Sequence, residues 1–211
     1  FDPQTSAFGH EWHLDEWAEG LIQCGKMAPA ILVAPFNTPD RMAEYTPVSD
    51  PEHPGGNADG YETFLIKELK PWVDGHYRTC PQASDTAIMG SSLGGLLALD
   101  AGSKHPDVFG KVAALSPSLW WDNQEMTHRL ATAPPGDGPH QPIWVDMGTQ
   151  EGSDPAAMVQ DAEALRDVLE HRGYVDGQNL EYHEIPGATH DEDSWAHRAG
   201  YVLAWMFPPG S

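Results

Sequence analysis

The stretch Ile88-Met89-Gly90-Ser91-Ser92-Leu93-Gly94-Gly95-Leu96 decides the fold. An apolar run leads into a Gly/Ser turn, and a helical pattern leaves it. The frame is G-x-S-x-G centred on Ser92. In such a turn a strand reverses sharply into a helix and leaves one serine at the apex in a strained backbone conformation. The positions two before and two after the serine must be small because the chain nearly touches itself there, and Gly90 and Gly94 meet that need. Gly95 permits close packing of helix on sheet. Ser91 fails the same frame, because Met89 sits two residues before it. Ser92 is therefore the candidate nucleophile. The N–H of Leu93, at the start of the helix, is the candidate oxyanion donor.

Short apolar runs recur on both sides of this turn. Candidate strands are Ala30–Phe36, Thr86–Gly90, Lys111–Ser116, Pro142–Met147 and Leu180–Ile185. Nearly continuous apolar runs of this length suit parallel strands covered on both faces. Helical patterns alternate with them at Trp12–Ile22, Gly60–Val73, Leu93–His105, Pro155–Arg172 and Trp195–Phe207. Asp59 is the expected N-cap of the second. Asp154, followed by Pro155, is the expected N-cap of the fourth. Alternating strands and helices indicate βαβ units in one α/β domain spanning residues 1–211. Asn37–Asp59 and Ala133–Gln141 are expected loops, and the first is long enough to be functional.

With this elbow, the acid and the histidine follow the serine in chain order, each on a loop at the carboxyl end of a strand. Among the late histidines, His171 ends a helix, His183 lies within a strand and His197 lies within the last helix. Only His190 sits in a loop just past a strand, so it is the candidate base. The acid is expected after the strand that ends at Met147. Glu151 and Asp154 are the candidates there, with Asp146 a distant third because it lies inside the strand. Asp154 has a competing duty as helix cap, which favours Glu151 as the group that orients and stabilises the imidazolium.

The chain has 211 residues, 32 of them acidic and 11 basic, giving a formal net charge of −21. That charge argues against nucleic acid or an anionic membrane surface as partner, since both are polyanions. It fits a surface adapted to high salt, and it fits ordinary acidic variation. No apolar run approaches the roughly 18 residues that span a bilayer, and no basic-then-apolar leader opens the sequence. Cys24 and Cys80 lack C-x-x-C spacing and read as two free thiols, with one disulfide as the alternative. No cofactor or metal is expected. The weak cation candidate Asn57, Asp59 and Glu62 lacks the full calcium-loop pattern. Oligomeric state and compartment are open.

Several stretches together resemble the putative-esterase group of α/β-hydrolases, which includes enterochelin-esterase-like, feruloyl and acetylxylan esterases and relatives of esterase D. The elbow Gly90–Leu96 is one. His105-Pro106-Asp107-Val108-Phe109-Gly110-Lys111 followed by Leu115-Ser116-Pro117-Ser118-Leu119-Trp120-Trp121 is more characteristic. Asn37-Thr38-Pro39-Asp40-Arg41 with Glu44-Tyr45-Thr46-Pro47 is another. The resemblance implies a three-layer α/β-hydrolase sandwich with a mostly parallel sheet. It places the triad acid in Gly148-Thr149-Gln150-Glu151 and the histidine in the Gly187–Trp195 stretch. It also implies about three further strands upstream, the last followed by a loop that supplies a second oxyanion N–H. Phe1-Asp2-Pro3 resembles the residues just after that loop, so the fold is expected to be N-terminally short. Trp120, Trp121, Asn37 and Trp195 are candidate substrate contacts. The expected chemistry is hydrolysis of a small-molecule carboxylic ester through an acyl-enzyme, with short-chain or aromatic acyl groups. The alternatives are an acyltransferase on the same fold and a non-catalytic carbohydrate-binding or structural protein with a vestigial site.

Overall fold

The computed structural model describes residues 9–134 and 141–210. Phe1-Asp2-Pro3 and most of the expected Ala133–Gln141 loop lie outside the described residues. By contact the chain forms two compact units, one of residues up to Phe36 together with those from Thr189 on, the other Asn37–Ala188.

The larger unit is built on a four-stranded parallel sheet: β1 (Ala87–Ser91), β2 (Lys111–Leu115), β3 (Ile143–Gly148) and β4 (Leu180–Ile185), in the order β1-β2-β3-β4. Expected and observed bounds agree to within a residue. β3 is buried along its whole length, which is why its sequence reads as one apolar run broken only by Asp146. The edge strand β4 is buried only at Leu180 and carries Glu181 and Glu184, charges that discourage pairing with another chain.

Helices join these strands. α1 (Leu14–Gln23) and α2 (Arg41–Glu44) precede α3 (Ala58–Phe64), a π turn at Leu65–Leu69 and α4 (Lys70–His76). α5 (Leu93–Lys104) packs on β1 and β2, and α6 (Trp121–Thr132) packs against α7 (Pro155–His171), which in turn covers β3. Leu93, Leu96 and Leu99 of α5 meet Val112 and Val145 of the sheet and Leu165 and Leu169 of α7 in one core. Each such side chain contributes about 1.5–3 kcal/mol on burial.

The helical stretch after residue 57 departs from expectation. It starts at Ala58, so Asn57, not Asp59, holds the N-cap position. Asp59 lies in the first turn and pairs instead with Lys104 Nζ at 2.6 Å. The π turn stands just ahead of Pro71, which has no N–H to give and whose ring would crowd the carbonyl of Lys67 in an unbroken α-helix. Trp72, within the expected helical stretch, is exposed and stacks on His76 at 4.4 Å. Asp154 does cap α7, accepting the Ala157 N–H at 3.2 Å.

In the smaller unit α1 packs against α8 (Glu192–Met206). α1 starts two residues later than expected because His13, at φ 52°, cannot continue a helix. The Trp17 indole donates to the Ala196 carbonyl at 3.0 Å. α8 starts three residues earlier than expected, at an Asp191 cap that accepts the Ser194 N–H at 2.8 Å. The expected strand Ala30–Phe36 is not a strand: no ladder among the described residues pairs with it, and Ile31, Val33 and Phe36 stay exposed. An apolar run becomes a strand only by pairing, so β-propensity alone does not produce one.

Candidate active site

β1 delivers Ser92 to the carboxyl end of the sheet. Its backbone stands at φ 56°, ψ −126°, outside both helix and strand regions, as the N-cap of α5. Two hydrogen bonds fix this turn to the next strand: Ser92 N–H donates to the Leu115 carbonyl, and Ser118 N–H donates to the Ser92 carbonyl, both at 3.1 Å. The hydroxyls of Ser92 and Ser118 lie 3.4 Å apart. Gly95 packs close to Leu115 and Pro117, as its place in the sequence implies. Leu93 opens α5, where the first N–H groups have no intrahelical acceptor and the helix dipole favours negative charge.

The register aligns Ser91, Leu115, Asp146 and His183 across all four strands. Residues just beyond that line form one row at the carboxyl ends. Glu151 belongs to the row, on the turn after β3. It is 1% exposed, and its Oε1 accepts the Ser116 hydroxyl at 2.5 Å and the Gly148 N–H at 2.7 Å. Asp146 is buried within β3 and accepts the Trp144 indole N–H at 2.8 Å and the Ser116 N–H at 3.1 Å, a structural duty. Asp154 is occupied as a helix cap.

β4 brings the chain back beside that turn. Gln150 N–H donates to the Ala188 carbonyl at 3.0 Å, and Gly187 N–H donates to Thr149 Oγ1 at 2.9 Å. His190 is the second residue after Ala188 and belongs to the smaller unit. Its ring stands edge-on to the buried Trp195 at 5.0 Å. Asp191 beside it is held below the usual carboxylate range, chiefly by the Thr189 hydroxyl and then by the Ser194 N–H. His171, His183 and His197 occupy the helix end, the strand and the helix interior expected of them.

The two tryptophans after Ser118 divide as adjacent residues must. Trp121 is 1% exposed and donates its indole N–H to the Val48 carbonyl, whereas Trp120 is 40% exposed. His53 was not among the sequence candidates, yet its ring packs against both, 5.9 Å from each. Asp50 holds it there by accepting the N–H groups of Glu52 and His53 on one oxygen and that of Asp122 on the other. These donors, Glu52 first, keep the Asp50 carboxyl below its ordinary range. Asp122, Asn123 and Gln124 follow with φ of 43°, 53° and 64°, a left-handed turn at the head of α6. Asn37 is exposed and donates to the Thr38 carbonyl.

The cation candidate resolves differently from expectation. Carboxylates of Asp59, Glu62 and Asp100 converge without Asn57, and the Lys104 ammonium stands among them, 2.6 Å from Asp59 and 2.7 Å from Asp100. The cluster thus contains its own positive charge. Cys24 and Cys80 are both free and exposed. No helix among the described residues is long and apolar enough to cross a membrane.

Comparison with known proteins agrees with this architecture. Residues 2–199 match the family described as "Putative esterase". The chain is 23% identical over 202 residues to the Bacillus subtilis uncharacterized protein YbbA, covering 91% of this chain and 79% of that one. It is 35% identical over 103 residues to a siderophore enterobactin esterase of Emericella nidulans, where the match covers 42% of this chain and only 33% of the relative. Among solved structures, an IroE-like serine hydrolase from Shewanella oneidensis superposes with a TM-score of 0.75 at 23% identity, covering 92% of this chain and 66% of that one. The Shigella flexneri enterobactin esterase FES gives 0.70 at 22% identity, and this chain spans half its length. The last two likenesses concern the fold; the family rests on the match along nearly the whole chain. The protein belongs to the Putative esterase family, and its class is that of a carboxylic-ester hydrolase on an α/β-hydrolase fold.

Proposed function

We propose that the protein hydrolyses carboxylic esters by two-step acyl transfer, with Ser92 as nucleophile, His190 as base and Glu151 as acid. The observation that carries this reading is Ser92 itself, a non-glycine residue held at φ 56° between β1 and the first turn of α5. Strain of this kind costs about 1–3 kcal/mol and is characteristic of reactive turns. In the reaction, His190 takes the hydroxyl proton as Ser92 attacks the ester carbonyl. The Leu93 N–H stabilises the oxyanion, and the alcohol leaves with the proton from His190. Water then attacks the acyl-enzyme with His190 again as base, releasing the acid and restoring Ser92. Glu151 is buried on the turn after β3, a site suited to stabilising an imidazolium.

The substrates are short-chain or aromatic acyl esters. Trp120, two residues after the Ser118 that touches Ser92, and His53, from the loop ahead of α3, form an aromatic wall. The named relatives that act on siderophore esters include the Emericella nidulans esterase and a ferri-bacillibactin esterase of Bacillus subtilis. A flat aromatic acyl group fits the same wall. Hydrolysis of p-nitrophenyl acetate and butyrate tests the assignment: Ser92→Ala should lower kcat by a factor on the order of 10⁶. Undiminished turnover in that variant, or failure of the wild type to label with a fluorophosphonate probe, sinks it.

A further inference from the structure

Trp144, Asp146, Ser116 and Glu151 form one buried chain of hydrogen bonds across the carboxyl ends of β2 and β3. The Trp144 indole donates to Asp146 Oδ2 at 2.8 Å. The Ser116 N–H donates to Asp146 Oδ1 at 3.1 Å and to the Asp146 carbonyl at 2.9 Å. The Ser116 hydroxyl donates to Glu151 Oε1 at 2.5 Å. No member is more than 6% exposed. Ser116 is also one of the few non-glycine residues with positive φ, at 44°. That conformation is unfavourable for a side-chain-bearing residue and persists only where its surroundings over-determine it. Here Asp146 grips the strained backbone through two oxygens.

The arrangement solves an electrostatic problem. Two carboxylates, Asp146 within β3 and Glu151 on the turn after it, are buried close together and would repel each other and resist desolvation. Ser116 gives each a donor: its main chain to Asp146, its side chain to Glu151. Charged groups of β4 stand beside the chain: the His183 ring packs 4.6 Å from the Trp144 indole and pairs with Glu181 at 3.1 Å. Gly148 closes the opposite side. A β-carbon there would overlap Glu151 Oε1 and come within 2.5 Å of the Ala188 carbonyl, so the carboxylate seats directly on backbone.

We propose that Ser116 is a positioning residue for the ester hydrolysis: its hydroxyl fixes the direction of the Glu151 carboxylate and holds its charge in a dry site. The inference rests on the reading of Glu151 as the triad acid. It concerns a residue at the end of the strand beside the elbow, outside the proposed triad, and one that no G-x-S-x-G frame would reveal.

The test compares Ser116→Gly, Ser116→Ala and Glu151→Gln in the full chain, by thermal unfolding and by kcat and KM for p-nitrophenyl butyrate. Glycine is at ease at φ 44°, so Ser116→Gly should keep or raise Tm. Both Ser116 variants should nevertheless lose about 10- to 100-fold in kcat, the scale of one hydrogen bond to a charged group, with KM within about twofold. Wild-type kcat in Ser116→Gly overturns the inference. So does a loss shared between kcat and KM and accompanied by a lower Tm in both variants, the mark of a purely structural role. Glu151→Gln separates the two claims: if it leaves kcat intact, the acid assignment falls and this inference with it; if it lowers kcat by about 10³- to 10⁴-fold while Ser116→Gly does not, only the inference falls.

Discussion

Gly90 and Gly94 approach so closely that a β-carbon on the first would overlap the carbonyl oxygen of the second. The contact is backbone against backbone, so no flexible side chain can yield. It lies at the crossing where β1 enters the elbow and α5 leaves it, with the strained Ser92 between. Gly90→Ala must therefore push β1 and α5 apart or distort the turn. We expect a loss of about 2–4 kcal/mol, a scale set by overpacking and backbone strain together. For a domain of this size that lowers Tm by several degrees. Ester turnover should fall further than the unfolded fraction explains, because the Ser92 hydroxyl moves. A variant with unchanged Tm and unchanged turnover would show that the approach is not essential to the elbow.

The elbow was legible in the sequence because its constraints are local. Small residues at fixed offsets from one serine, after an apolar run, leave few other readings. β3 and α7 were legible for a related reason: β3 is one apolar run broken only by Asp146, and α7 carries a helical period and a cap. Ala30–Phe36 misled because pairing is not a local property. α6 went unseen because it begins in three left-handed residues, Asp122, Asn123 and Gln124, that carry no helical period. Trp72 and Glu62 show the cost of assuming one unbroken helix. With a π turn inside it, apolar Trp72 faces solvent while charged Glu62 is 1% exposed. Ser116 was quoted in the sequence only as part of a motif. Its partners Asp146 and Glu151 lie 30 and 35 residues away, and only strand register joins them.

The buried position of Glu62 carries a pH dependence. Burial pushes its carboxyl up to about 8, and the neighbouring Asp100 adds to the rise. Lys104 stands 3.9 Å from Oε1, which has no hydrogen-bond partner among the described residues, and His105 lies 3.1 Å from Oε2. Arg129 takes up Asp100 from α6, and Asp59 completes the ring of charges from α3. A folded value above the ordinary 4.5 means that the native state binds the extra proton. Its stabilising contribution is full below about 4.5 and is lost as pH rises towards and through 8. Glu62→Gln is a neutral isostere of the protonated side chain. It should match the wild type near pH 5 and exceed it near pH 8.5, by about 2–4 °C in Tm for each kcal/mol recovered. Parallel Tm curves for the two proteins between those values would show that Glu62 ionises freely.

The formal charge of −21 sets the last expectation. Against 32 acidic residues, the 11 basic ones leave most surface carboxylates facing others of their own sign. Exposed ion pairs such as Arg166 with Asp167 offset little of this, about 0–1 kcal/mol each. Salt shortens the Debye length from about 10 Å at 0.1 M to about 3 Å at 1 M and so removes most of the repulsion. The buried pairing of Asp100 with Lys104 and Arg129 is screened much less and persists. Tm should therefore climb by several degrees between 0.1 M and 1 M NaCl, with ester turnover retained. Sodium sulfate also strengthens apolar burial, so it is a poor probe of charge alone. The discriminating comparison is NaCl against an equal osmolality of sucrose, which stabilises without screening. A rise with NaCl well beyond that with sucrose identifies self-repulsion as the destabilising force and a salt-adapted surface. Equal rises, or a fall with NaCl, would mean that the carboxylates are already spaced or paired well enough at low salt, and that the acidity is ordinary variation.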